Sequence, residues 1–135
     1  MKKILVLALL SLTVVSCGKY EEGPGFSLLS KKNRITNTWT LSKVEVNGQD
    51  ETPPSTSYTL KMTLKEDETV TANYTVLTIP FTTTGTWAFN SDKSTLILTD
   101  NSGTSTNTIL RLTNKEMKLR QIANGDTTTN TYVVQ

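Results

Sequence analysis

Chemistry needs groups that move protons, attack electrophiles or hold metal ions, and this 135-residue sequence offers few: it contains no His and a single Cys, Cys17. Without imidazole there is no Ser-His-Asp or Cys-His pair and no nitrogen ligand for zinc. There is also no imidazole to shuttle protons near neutral pH. Two acidic runs remain, Glu66-Asp67-Glu68 and Asp50-Glu51. A carboxyl pair that hydrolyses glycosides must span a cleft, with its members about 5 to 9.5 Å apart. Acidic neighbours in a polar break are better read as solvated turns. The triplet also lacks the ligand spacing of an EF-hand loop. The expectation is a protein that is not an enzyme, with no catalytic residue, no metal and no cofactor.

The first residues concern location. Met1, Lys2 and Lys3 precede an apolar run from Ile4 to Val15, the form of a secretion signal. The run is too short for a span, which needs about 20 apolar residues. It takes two of the 14 basic residues and none of the 12 acidic ones, so the remainder is balanced in charge. That removes the basic footprint of nucleic-acid binding, and no nucleic-acid partner is expected. Val14-Val15-Ser16-Cys17 resembles the lipobox of bacterial lipoproteins. The resemblance implies cleavage after Ser16, a diacylglyceryl group on the Cys17 sulfur and a further acyl chain, such as palmitate, on the new amino terminus. Two or three chains anchor firmly where one is marginal, each buried CH2 contributing about 0.8 kcal/mol. The lipid bilayer is then a partner, through Cys17, and the outer membrane the expected location. A lone Cys forms no intramolecular disulfide, so the fold must stand on its core. Residues 18–25 hold glycines, Pro24 and charges, and read as a tether. Within them Glu21 and Glu22 resemble the surface-export signal of lipoproteins from Bacteroidetes-type bacteria. A linker on the periplasmic face is the alternative. The division is 1–16 signal, 17–26 lipidated Cys and tether, 27–135 folded domain.

Any site must be positioned by that last segment. Leu28, Leu29 and Ile35, with Lys31, Lys32 and Arg34 among them, predict one or two helical turns. From Trp39 the apolar period becomes two, as in a strand with one buried face. Tyr58, Leu60, Met62 and Leu64 alternate with Thr59, Lys61, Thr63 and Lys65, and Val70, Ala72, Tyr74 and Val76 repeat the pattern. Eight strands are predicted: 39–46, 58–64, 70–76, 86–89, 95–99, 106–113, 116–122 and 129–134. Turn chemistry separates them, including Asn124-Gly125, which suits positive φ. Thr makes up about a fifth of the chain, in phase with the apolar positions, as suits a pleated surface. Short antiparallel strands joined by tight turns predict an all-β, up-and-down barrel of about eight strands; a β-sandwich is the alternative. Only residues 47–57, with Pro53 and Pro54, could form a lid or crossover.

From Ile35 to the C-terminus the sequence resembles the lipocalin-like domains of small lipoproteins from Bacteroidetes-type bacteria. The carriers are Ile35-Thr36-Asn37-Thr38-Trp39-Thr40-Leu41, Val44, Val46, Asn47 and Gly48, then Gly85-Thr86-Trp87, Leu96-Ile97-Leu98 and Ile109-Leu110-Arg111-Leu112-Thr113. That family carries Gly before its first-strand Trp; here Asn37 takes the place. The resemblance implies that Trp39 closes one end of the barrel, with a late basic residue, Arg120 or else Arg111, packed across it. It also implies an internal cavity for a small apolar ligand. The apolar phase offers Tyr58, Leu60, Met62, Tyr74, Trp87 and Phe89 as its lining, unless those side chains simply fill the barrel. Two functions follow: a lipoprotein that carries a small molecule, or an interaction protein with a filled barrel that docks on another envelope protein, with residues 47–57 as the candidate surface.

Overall fold

A computed structural model describes residues 20–22 and 28–135. The signal-like segment, Cys17 and residues 23–27 lie outside the described residues. A five-residue helix α1 (Lys31–Ile35) is capped by Ser30, whose side chain accepts from the Asn33 amide. Nine strands follow: β1 (Thr38–Val46), β2 (Gln49–Asp50), β3 (Tyr58–Leu64), β4 (Thr69–Val76), β5 (Ile79–Phe89), β6 (Thr95–Asp100), β7 (Gly103–Leu112), β8 (Glu116–Ala123) and β9 (Asp126–Val134).

The alternation read from sequence becomes a shared face through the register. Leu60 lies opposite Tyr74, Met62 opposite Ala72 and Leu64 opposite Val70, so both apolar phases point the same way. From β3 to β9 each strand pairs with the next, and β1 pairs with β3 on one side and β9 on the other. This last pairing, Trp39 opposite Val134 through Val46 opposite Thr128, closes an eight-stranded antiparallel barrel. It rules out the sandwich, in which no strand joins the two ends of the meander. The two-residue β2 folds back on β1 as a hairpin, and β1 pairs antiparallel with β3, so residues 47–57 are not a crossover.

Strand β5 begins earlier than the expected 86, and the reason is local. Sequence reading stops at Pro80 and the Thr82-Thr83-Thr84 run, since Pro lacks the N–H a central strand must donate. Here β6 pairs only with Thr86–Phe89, so the first half of β5 has β4 on one side and no ladder partner on the other. Pro80 sits in that half, where a strand tolerates it.

The turns at Asn47-Gly48 and Asn124-Gly125 have φ of 50 and 80°, and 53 and 81°, the two left-handed residues that tight hairpins need. The β4–β5 turn adopts the same hand with the wrong residues: Leu77 at 48° and Thr78 at 78°. Left-handed backbone costs a residue with a Cβ roughly 1 to 2 kcal/mol. Replacing Leu77→Asn with Thr78→Gly should therefore stabilise the fold by about 1 kcal/mol after the entropy cost of Gly, read as a higher thermal midpoint. An unchanged or lower midpoint would refute the strain.

One end of the barrel is filled. Trp39, Leu96, Leu112 and Met117 are fully buried there with Leu64, Ile109, Leu119 and Tyr132. The Trp39 indole N–H donates to the Ile35 carbonyl at 2.9 Å, tying α1 under the barrel. Asn37 does not have the positive φ that a Gly would permit; its side chain accepts from Thr38 N at 2.9 Å and its carbonyl from Leu64 N at 3.0 Å. The expected role of Arg120 is not what the structure shows. Arg120 alternates with inward Met117 and Leu119, so it faces outward, 3.8 Å from Glu21. Arg111 likewise pairs with Glu116 at 2.8 Å. The buried basic side chain is Arg34 of α1, donating to the Leu112 carbonyl at 2.6 Å.

The stretch read as a tether also contributes structure. Tyr20 is 5% exposed, donates its hydroxyl to the Lys93 carbonyl at 2.9 Å, and lies under the Lys31 ammonium, 4.6 Å from its ring centre. Burial, opposed by Arg34 and aided by Asp92, pushes its phenol up to about 12. Glu22 N donates to the Leu110 carbonyl, freed by the β7 bulge between Ile109 and Arg111, and the Glu22 carboxylate pairs with Lys118 at 3.1 Å.

Candidate functional site

The turns joining β1 to β2, β4 to β5, β6 to β7 and β8 to β9 all lie at the end opposite α1. Near that end the packing thins because β6 is shorter than β5. The space is a cavity of about 340 Å³ lined by Met62, Val70, Ala72 and Leu98 on its apolar side. Thr83, Thr99, Asp100, Ser102, Thr104 and Ser105 supply hydroxyls and one carboxylate on its polar side. Such a volume is at the small end of ligand pockets, which combine apolar walls with a few polar anchors.

Gly85 makes the cavity wall possible. Its φ is ordinary, but a Cβ there would fall 2.0 Å from the Thr99 carbonyl oxygen. With hydrogen alone, β5 and β6 approach closely just where the ladder between them begins.

Of the six residues expected to line a pocket, Met62 does so. Trp87 is 3% exposed and spent on structure: its indole N–H donates to the Lys65 carbonyl at 2.8 Å, and Phe89 meets it edge-on at 5.5 Å. Leu60 packs against the core cluster. Tyr58 and Tyr74 lie further toward the mouth, ring centres 6.5 Å apart, and Tyr74 stacks on Phe81 at 5.2 Å. Burial and then the neighbouring Tyr74 raise the Tyr58 phenol above its ordinary value, so it stays a hydrogen-bond donor at neutral pH. The cavity residues that sequence missed are mostly Thr, Ser and Gly. They are indistinguishable from surface strand positions without knowing that the β5–β6 ladder starts only at Thr86.

The acidic runs lie in solvent. Asp67 accepts from the amide and hydroxyl of Thr69 at 3.0 and 2.6 Å, and Asp50 does the same for Thr52. Those hydrogen bonds hold both carboxyls below the usual range. They stabilise turns. Among the described residues no three acidic, Cys or His side chains converge as metal ligands.

An apolar patch stands apart from the cavity. Leu77 and Ile79 are 67% and 58% exposed at the tip of the β4–β5 hairpin, with Val76 and Phe81 also exposed. No charged residue occurs from Thr69 to Ser91.

Comparison with solved structures finds the same architecture in a de novo designed fluorescence-activating β-barrel, with a TM-score of 0.52 over 80% of this chain and 100% of that one. At 9% identity the likeness is one of fold. No curated protein matches the sequence. Residues 35–119, more than half of the chain, match the lipocalin-like domain, a range that runs from the Ile35 carbonyl under Trp39 to Leu119 in the core. A closed eight-stranded meander is capable in general of holding a small molecule, and by fold and sequence together this chain belongs to the lipocalin-like domain family.

Proposed function

We propose that this protein is a lipid-anchored outer-membrane lipoprotein whose barrel holds a small, largely apolar molecule. The cavity between β4, β5 and the β6–β7 hairpin carries the ligand half of this reading, because an apolar wall facing a row of hydroxyls is how a site fixes the orientation of a small guest. The anchor half rests on Val14-Val15-Ser16-Cys17. Tyr20, three residues along from Cys17, is pinned at the closed end, so an anchor on Cys17 would set that end toward the bilayer. The mouth would then face away from the bilayer.

The test is expression in a bacterial envelope with and without Cys17→Ser. The native chain should sediment with membranes and show a mass beginning at Cys17 plus its acyl groups. The variant should be released to the soluble fraction, and its native mass spectrum should carry a small-molecule adduct. A soluble native chain would defeat the anchor, and a bare spectrum after incubation with extract of its own cells would defeat the ligand.

A second reading, docking on another envelope protein, is favoured by the exposed apolar hairpin rather than by residues 47–57. Strained left-handed residues that keep Leu77 in solvent suit a retained contact surface. Under this reading, the stabilising Leu77→Asn, Thr78→Gly change would abolish cross-linking to a partner.

A further inference from the structure

The cavity has one charged side chain in its lining, Asp100 at the end of β6. One of its oxygens accepts from Ser102 N at 2.7 Å, which holds the carboxylate over the mouth and leaves acceptor capacity on the group. The surrounding charge is one-sided. The open-end segments 47–57, 76–79, 100–104 and 123–127 carry Asp50, Glu51, Asp100 and Asp126 and no Lys or Arg. Asp50 and Asp126 accept hydrogen bonds from Thr52 and Asn47, and Lys43 of β1, the cation that acts on Asp50, is itself bridged to Glu45 at 2.8 Å. Six of the described basic side chains, Lys31, Lys32, Arg34, Lys65, Lys93 and Lys115, belong to the opposite end, and the other five, Lys43, Lys61, Arg111, Lys118 and Arg120, lie along the strands.

Resting on the small-molecule reading above, we infer that the cavity selects small amphipathic cations: an apolar body lies against Met62, Val70, Ala72 and Leu98, and a protonated amine meets Asp100. The argument is one of desolvation. Asp100 is exposed at the rim, and a guest filling the cavity removes water from the side of the carboxylate that faces it, a cost that a neutral guest leaves standing and a cation offsets. An anion meets the same carboxylate and the repulsion of the acidic mouth.

Titration of the full-length, nitrogen-15-labelled chain with octylamine, octanol and octanoate tests this. Octylamine should bind about tenfold more tightly than octanol, and octanoate most weakly, with amide shifts concentrated on residues 98–105. Asp100→Asn should bring octylamine to within about twofold of octanol while leaving octanol unchanged. The Asn oxygen can still accept from Ser102 N, so the turn should survive, as the Ser102 amide shift would report. Equal or tighter binding of octanoate, or an amine preference that persists in Asp100→Asn, overturns the inference while sparing the cavity. If none of the three binds, the small-molecule reading fails and this inference fails with it.

Discussion

Trp39→Ala is expected to lower stability by about 3 to 5 kcal/mol, the range for removing a large buried aromatic. Trp39 is fully buried between Met62 of β3 and Val134 of β9, so the cavity it leaves opens at the seam where the barrel closes. It also strands the Ile35 carbonyl, which accepts from the Trp39 indole. Against a total of about 5 to 15 kcal/mol for a domain, the loss brings the fold near its threshold. Chemical denaturation should show a much lower midpoint with a similar slope. Trp39→Phe, which keeps most of the ring but not the donor, should cost distinctly less. Equal effects of the two changes would show that the hydrogen bond, and not the volume, governs closure.

Gly85→Ala should cost about 1 to 3 kcal/mol, although Ala adds one carbon to a strand and would ordinarily help it. The added carbon has nowhere to go, because backbone rather than a flexible side chain stands 2.0 Å away. β5 and β6 must part, and the cavity wall moves with them. Hydrogen exchange should quicken at Thr86 to Phe89 and Leu96 to Thr99, the residues of that ladder, while the β8–β9 ladder keeps its protection until global unfolding. A thermal midpoint within a degree of the native chain would refute the close approach.

What could be read in advance was whatever is periodic. Tyr58 to Leu64 and Val70 to Val76 alternate cleanly because each strand has one face on the core, and Asn124-Gly125 has the residues its backbone needs. The upper half of β5 hid because its legibility depends on a neighbour: Pro80 is disallowed in a paired strand and harmless where β6 has ended. Tyr20 and Arg34 hid for another reason. Each sits in a stretch whose composition marks it as solvated, and each is drawn in by a partner distant in sequence, the Lys93 and Leu112 carbonyls. The cavity was expected among aromatics, yet Trp87 and Phe89 pack together in the filled half. Small residues leave space, and space carries no pattern in a sequence.

The pairing of β1 with β9 has a bearing on how the molecule forms. Seven of the barrel's ladders join strands adjacent in the meander, and these can zip locally as hairpins. The eighth waits for Thr128 to Val134 to reach back to Trp39 to Val46. Such non-local contacts slow folding because the entropy of closing the chain comes before any reward. Until then β1 and β9 are bare edges able to recruit strands from other chains. Pairing of β9 with β1, more than formation of any single hairpin, therefore sets when these two edges are covered.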